Sequence, residues 1–423
     1  MSQHFNALET RSPQQREAEL MAALPAQIAN AQNNSAAFAE ILKGVDASSI
    51  NSRSALAQLP VTRKYELLER QQALRASRPG VDPFGGFSTI GWKGMLRSSG
   101  AKRVYQSPGP IYEPEGHAAD YWRAGRAMAA AGFEAGDLVH NCFSYHLTPG
   151  AWIMESGAHA LGCTVIPGGV GNTEQQLAAI ADLCPQAYSG TPSFLKILIE
   201  KAGEAGQKLS ITKALVSGEA CPPSLRDWFT QHGVAAYQCY ATADVGLIAY
   251  ETASREGLVL DEGVIVEIVR PGTGEPVPEG EVGEVVVTVL NPDYPLIRFG
   301  TGDLSAVLPG ACPTGRTNTR IKGWMGRADQ TTKVRGMFVH PGQVNEVVKR
   351  FAEVAKARLV VTGEMANDQM CLQVEATNAP PDLAQRVADA VRDVTKLRAD
   401  VQVVGLGTLP NDGKVIEDAR SYK

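Results

Sequence analysis

The chain has 423 residues, of which 44% are hydrophobic and 20% charged, and a formal net charge of −5. Apolar burial in one core stops growing at about 250–300 residues, so two domains are expected. A mildly acidic balance without a basic block gives no foothold for nucleic acid or an anionic membrane, and neither is expected as a partner.

In chain order, the opening MSQHFNALETRSPQQREAELM lacks the basic-then-apolar order of a secretory leader, and no apolar run reaches about 18 residues. A cytoplasmic location is expected. Apolar positions three and four apart predict a lead-in helix from Pro13 to Lys43, stopped by Gly44. The stretch RVYQSPGPIYEPEG, Arg103 to Gly116, has the small residues of a phosphate-binding turn. It has no lysine, and it carries Glu113 and Glu115. A helix is expected from Ala118 to Ala131. Short apolar runs, DLVHNCF and GCTVIP, then alternate with the helical patterns TEQQLAAIADL and SFLKILIEKAGEAG, which argues for a largely parallel sheet.

Between Val259 and Val307 the chain turns β-rich, with VLDEGVIVEIV and EVGEVVVTVL separated by PGTGEPVPEG. Beyond GRAD come a helix from Gly342 to Val354, strands at ARLVVTG and MCLQVEA, a helix from Pro381 to Leu397 and a strand at VQVVGLG. The predicted fold is α/β. A large N-terminal domain, residues 1–328, has mostly parallel sheets and a β-rich subdomain, and a small α+β C-terminal domain spans residues 329–423. The seven cysteines are scattered, with no CxxC, so neither a disulfide framework nor a structural zinc site is expected.

The candidate functional residues lie in seven short segments: SPG at 107–109, GTPS at 190–193, SGEA at 217–220, CYATAD at 239–244, YPLIRFGTGD at 294–303, GRADQTTKVRGMFVHP at 326–341, and GTLPNDGK at 407–414. Each alone has a plainer reading: a turn aspartate for Asp303, a surface ion pair for Arg327, a helix-capping turn for SGEA, a solvated terminal residue for Lys414. In this order and spacing the series resembles the adenylate-forming enzymes. It is most similar to their phenylacetate–CoA ligase branch, which also has segments close to NCFSYHLTPG and LGCTVIPGGVGNTEQQ.

That resemblance implies activation of a carboxylic acid by ATP to an acyl-adenylate, rotation of a mobile C-terminal domain, and transfer of the acyl group to coenzyme A. It assigns the ribose hydroxyls to Asp303, whose carboxylate offers acceptors to a diol, and ribose or phosphate to the planar cation of Arg327. Gly218, Glu219 and Ala220 resemble the adenine-binding turn, with Tyr240 and Thr242 as further nucleotide contacts. Asp244 takes the magnesium position. Asp329 falls at the hinge, Arg335 in the thioester-forming turn, and Lys414 at the adenylation lysine. Phe143, Tyr145, His146 and Gly190 fall on the acyl slot, with core packing as the equal alternative for Phe143 and Tyr145. The implied cofactors are ATP/AMP, Mg2+ and coenzyme A, without zinc; the implied partner is a small aromatic carboxylic acid, and a homodimer is compatible.

The phosphate side departs from the family pattern. Ser107 and Gly109 stay, but Pro110 and Ile111 replace threonines and Glu113 replaces the loop lysine, so an anion stands where a cation is usual unless Glu113 also holds magnesium. Ala243 and Asp244 replace a hydroxyl residue and a glutamate. Two readings compete with the aryl–CoA ligase: a relative that binds an aryl acid, AMP or acyl-CoA without turnover, and an enzyme that keeps only adenylation.

Overall fold

The computed structural model describes residues 4–78, 80, 82–92, 100–270, 273–325, 328, 332–335, 337–339, 341–363, 368–377, 379–410 and 414–420. The chain divides into two units, Met1–Gly326 and Arg327–Lys423.

The lead-in segment forms α1 (Pro13–Asn34), α2 (Ala36–Ile41) and α3 (Arg53–Leu56). The single helix expected to Lys43 breaks at Ser35, whose hydroxyl accepts from Phe38 N at 3.3 Å and so caps the start of α2. Leu20, Leu24, Ile28 and Ala31, all buried, form the stripe of α1 that meets the core. β1 (Thr62–Arg63), α4 (Lys64–Ser77), and the hairpin β2 (Arg103–Ser107) and β3 (Ile111–Glu115) follow.

The βα repeats comprise α5 (Ala124–Ala130), β4 (Leu138–Asn141), α6 (Gly150–Ala160), β5 (Thr164–Pro167), α7 (Thr173–Leu183), β6 (Ala187–Gly190), α8 (Pro192–Glu204), β7 (Lys213–Val216), α9 (Pro223–Gln231) and β8 (Ala235–Thr242). The helix expected from Ala118 starts only at Ala124, because Asp120 and Arg123 take left-handed φ of 47° and 67° and the Asp120 carboxylate accepts from Gly125 N at 2.9 Å. α5 and α6 pack so closely at Gly157 that a Cβ there would lie 2.7 Å from the backbone of Ala124.

β9 (Gly246–Tyr250), β10 (Leu258–Leu260), β11 (Val264–Val269), β12 (Gly283–Val289), β13 (Phe299–Ser305), β14 (Val307–Leu308) and β15 (Arg320–Ile321) complete the large unit. One nine-stranded sheet runs β14-β15-β10-β9-β8-β7-β6-β4-β5. β5, β4, β6, β7 and β8 are parallel, joined by helices; from β8 on the pairs are antiparallel, starting with the tight β8–β9 turn. A second sheet, β1-β13-β12-β11, packs its β-branched runs against α1, with Ile265, Val285, Val287 and Phe299 at or below 1% exposure.

Arg298, just before β13, is 1% exposed and holds this sheet to its surroundings. Its guanidinium pairs with Glu267 of β11 at 2.9 and 3.0 Å, and donates to the carbonyls of Ala57 and Gly274 at 2.8 and 2.6 Å and to that of Leu59.

In the small unit, β16 (Thr332–Val334) and β17 (Met337–Val339) form a hairpin ahead of α10 (Pro341–Lys349). β18 (Val354–Thr362), β19 (Gln369–Ala376), α11 (Leu383–Thr395), β20 (Asp400–Val404) and β21 (Ile416–Asp418) follow, with sheet order β20-β19-β18-β21. Leu383, Val387, Ala390 and Val391 line the buried face of α11. β21, which the sequence reading did not anticipate, pairs in parallel with β18.

Removing one partner of a buried ion pair leaves the other charge without compensation. Glu267→Ala is therefore expected to destabilise the large unit by about 3–5 kcal/mol, read as a lower denaturant midpoint at unchanged slope.

Candidate active site

The five parallel strands point their C-terminal ends to one edge, where ligand crevices of open α/β sheets form. That edge gathers the expected segments. β4 delivers Phe143, Tyr145 and His146; β6 ends at Gly190; β7 runs into Gly218, Glu219 and Ala220; β8 carries Tyr240 and Thr242 and leads to Asp244. Ser217 N donates to Gly190 O at 3.2 Å and Ser217 Oγ to Cys239 O at 2.9 Å, joining three strand ends. Gly218 has a φ of 80°, which suits glycine at this turn. Glu219 Oε2 is buried and has no hydrogen-bond partner among the described residues.

Asp303 comes from the other sheet, on β13, and is 8% exposed. Tyr240 donates its hydroxyl to Asp303 Oδ2 at 2.8 Å and Trp324 donates Nε1 to Oδ1 at 3.1 Å, so both carboxylate oxygens are oriented by protein donors. Thr242 Oγ1 accepts from Val245 N at 3.3 Å and shapes the β8–β9 turn.

The phosphate side is built on facing acids. Alternation along the β2–β3 hairpin buries Ser107 and Glu113 on one face, and Ser107 donates its hydroxyl to Glu113 Oε1 at 2.7 Å. Glu113 is 2% exposed and Asp244 6%. Glu113 Oε2, Asp244 Oδ1 and the Tyr294 hydroxyl are all buried without a hydrogen-bond partner among the described residues. Burial first, and then the Asp244 carboxylate, push the Glu113 carboxyl well above its ordinary 4.5, with Lys64 and Ser107 acting in the opposite direction. Lys64, the first residue of α4, places Nζ 3.0 Å from Asp244 Oδ2. Burial and the same two acids also push the Tyr294 phenol up. Glu115, by contrast, is neutralised locally by Lys102 at 3.0 Å and Arg103 at 2.9 Å.

On the acyl side, Asn141 organises the loop after β4: its Nδ2 donates to the Tyr145 hydroxyl at 2.8 Å, and its Oδ1 accepts from Ser189 Oγ at 2.9 Å. Tyr145 donates in turn to Glu155 at 2.8 Å and sets its ring edge-on to Trp152, with centroids 5.1 Å apart. Phe143 is half-buried and packs against the core under the sheet. His146 is exposed. It lines an open cleft of about 410 Å³ together with Ser107, Gly109 and Pro110 of the hairpin turn. Gln106 N, bonded to Leu147 O at 2.9 Å, ties that turn to the loop.

In the small unit Arg335, with a left-handed φ of 48°, donates its backbone N–H to Asp368 Oδ2 at 2.8 Å and its guanidinium to the Asp368 carbonyl at 2.8 and 3.1 Å. Lys414 is exposed, and its carbonyl accepts from Arg358 at 3.3 Å. Arg327 and Asp329 lie outside the described residues. Cys312 has Thr314 Oγ1 3.1 Å from its sulfur, and among the described residues no three His, Cys, Asp or Glu side chains converge as a metal cluster. Sequence reasoning missed Lys64, Tyr294 and Trp324. Tyr294 opens one motif segment without having been given a role and Trp324 flanks another, but only chain pairing reveals Lys64.

The AMP-binding enzyme family matches residues 118–289, and the AMP-binding enzyme C-terminal domain matches residues 336–418. The phenylacetate-coenzyme A ligase of Thermus thermophilus is 31% identical over 351 residues, 79% of this chain and 75% of that protein. That of Escherichia coli is 28% identical over 309 residues, 68% of this chain and 70% of its own length. A solved 2-hydroxyisobutyryl-CoA ligase, in complex with 2-HIB-AMP and CoA, shares the fold with a TM-score of 0.81 at 24% identity, covering 100% of this chain and 93% of its own.

Because its folded-state value is raised, Glu113 carries no penalty below the unfolded value of 4.5, and stability falls as pH rises above it toward the raised folded value. Glu113→Gln keeps the shape and removes that titration. Stability of the original chain relative to this variant should decline with rising pH through that window, as read by denaturant midpoints at a series of pH values.

Proposed function

Because the chain belongs to the adenylate-forming enzymes, on their phenylacetate–CoA ligase-like branch, and is on that ground an AMP-forming acid–thiol ligase, we propose that its substrate is a small aromatic or arylacetic acid. The carboxylate attacks the α-phosphorus of ATP; the new P–O bond replaces the bond to the β-phosphate, and pyrophosphate leaves. The thiolate of coenzyme A then attacks the acyl carbon of the adenylate, forming C–S and breaking C–O, and AMP leaves. Adenylation is needed because a free carboxylate is a poor electrophile and AMP a good leaving group.

The observation that carries the reading is the convergence of the loops after β4, β6, β7 and β8 on one sheet edge, with Asp303 brought to it through the Tyr240 hydrogen bond. In this proposal Asp303 takes the ribose hydroxyls, the Gly218–Ala220 turn and Tyr240 receive the adenine, and Thr242, Ser107 and Gly109 border the phosphates. The unpartnered, buried Asp244 Oδ1 fits a hard divalent cation, and Asp244 would hold magnesium there, with Glu113 beside it. Such a cation supplies charge neutralisation at the phosphates.

The loop that Asn141 organises and the Tyr145–Trp152 ring pair support an aromatic acyl group, oriented by polar groups at the rim, with His146 and Gly190 beside it. Residues 1–328 are assigned to adenylate and acyl binding. The domain from 329 onward is assigned the lid role, with Asp329 as hinge, Lys414 as the cation of adenylation and Arg335 in thioester formation. Asp368 fixes the backbone at Arg335, so this side chain starts from a defined geometry.

A relative that binds without turnover is favoured by one observation, the buried acid pair where a cation is expected. Pyrophosphate release with ATP, magnesium and a panel of aryl acids, run with and without coenzyme A, separates the readings. Release with thioester product supports the ligase; silence across the panel supports the binding protein; adenylate without thioester supports the half-reaction. Lys414→Ala should lower adenylate formation by about 10²–10³-fold, the usual loss of a preorganised transition-state donor. Thioester formation from supplied acyl-adenylate should change far less, and equal losses in both steps would remove Lys414 from this role.

A further inference from the structure

The charge reversal at Glu113 leaves the phosphate side in need of a cation, and the packing brings one from a distant part of the chain. Lys64 stands at a fixed point. Thr62 and Arg63 of β1 pair in register with Phe299 and Gly300 of β13, the strand that carries Asp303. Thr62 N donates to Arg298 O at 2.9 Å, and Arg63 N donates to Glu66 Oε2 at 2.9 Å, which caps α4. The backbone of Lys64 is thus held on both sides. From there its Nζ reaches Asp244 Oδ2 at 3.0 Å, past the end of β8.

Two features separate this contact from ordinary neutralisation of a buried acid. The Lys64 side chain is 37% exposed while that of Asp244 is 2% exposed, so the lysine, not the carboxylate, is the partner open to the outside. A lysine at the first position of a 14-residue helix also adds its charge to the positive end of the helix dipole. Both features leave that end suited to an anion arriving from outside.

We propose that Lys64 supplies the positive charge that opposes the outer phosphates of ATP, in place of the cation missing from the turn at 107–113. The inference rests on the reading of the chain as an ATP-using ligase. Asp244 holds the ammonium by an ion pair while β1 and the capped start of α4 fix its backbone, so the cation is positioned from there and not from the hairpin.

The test is calorimetric binding to the full chain of ATP with magnesium, of pyrophosphate with magnesium, and of AMP, for the original protein, Lys64→Met and Lys64→Arg. Losing one charge-assisted contact to phosphate should weaken ATP and pyrophosphate by about tenfold or more. AMP should change by less than about twofold on the same scale, and its binding also reports that the variant is folded. Lys64→Arg should keep most of the ATP affinity. Undiminished ATP binding in Lys64→Met, or equal loss of ATP and AMP, overturns the inference alone. Absence of ATP binding by the original chain overturns the ligase reading and this inference with it.

Discussion

Two carboxyl groups buried against each other at the end of β8 set the terms for the phosphate side of this protein. Two unit charges about 4 Å apart interact by about 1 kcal/mol in bulk water but by about 4 kcal/mol at an effective dielectric of 20. Glu113 and Asp244, both nearly inaccessible, cannot both stay ionised without help. The Ser107 hydroxyl on Glu113 and the Lys64 ammonium on Asp244 are the help the fold provides, and the Glu113 carboxyl is pushed up by what burial and Asp244 leave uncompensated. The β2–β3 hairpin, the β8–β9 turn and the start of α4 are thereby joined by electrostatics, although they are far apart in sequence.

The adenosine side obeys a different constraint, the placement of β13. Arg298 ties the start of that strand to Glu267 and to the carbonyls of Ala57, Leu59 and Gly274, and β1 adds a parallel edge. Asp303 lies five residues beyond Arg298 and takes its orientation from Tyr240 on the other sheet. A buried ion pair is weak evidence of net stabilisation, but its geometry is specific. Here that specificity sets both Asp303 and, through β1, Lys64.

The alternation of strands and helices from Asp137 to Glu204 was legible because α7 and α8 are amphipathic and β4 and β5 lie in short apolar runs between turns. The break at Ser35 and the late start of α5 were not, since a capping hydroxyl and two left-handed residues act below the resolution of apolar periodicity. The candidate site was legible as ordered motifs, and the edge of the parallel strands explains why segments from Phe143 to Asp244 belong together. Lys64 was not legible. A two-residue strand has no periodic signal, and a lysine opening a helix reads as solvated until its pairing with β13 is known.

The distribution of charge, rather than any single residue, reconciles the altered turn with phosphate chemistry. In the pattern the family uses, a loop lysine and a magnesium-binding glutamate sum to zero before metal and nucleotide arrive. Here burial and the Asp244 carboxylate push the Glu113 carboxyl upward, which disfavours its charged form, and the Lys64 ammonium offsets Asp244 from the start of α4. What changes is where the cation is anchored. A lysine on a glycine-rich turn moves with that turn, whereas Lys64 sits on a capped helix held to the strand of Asp303. The hairpin is then released from holding charge at its tip, which is consistent with prolines at 108 and 110, where backbone donors would otherwise be expected.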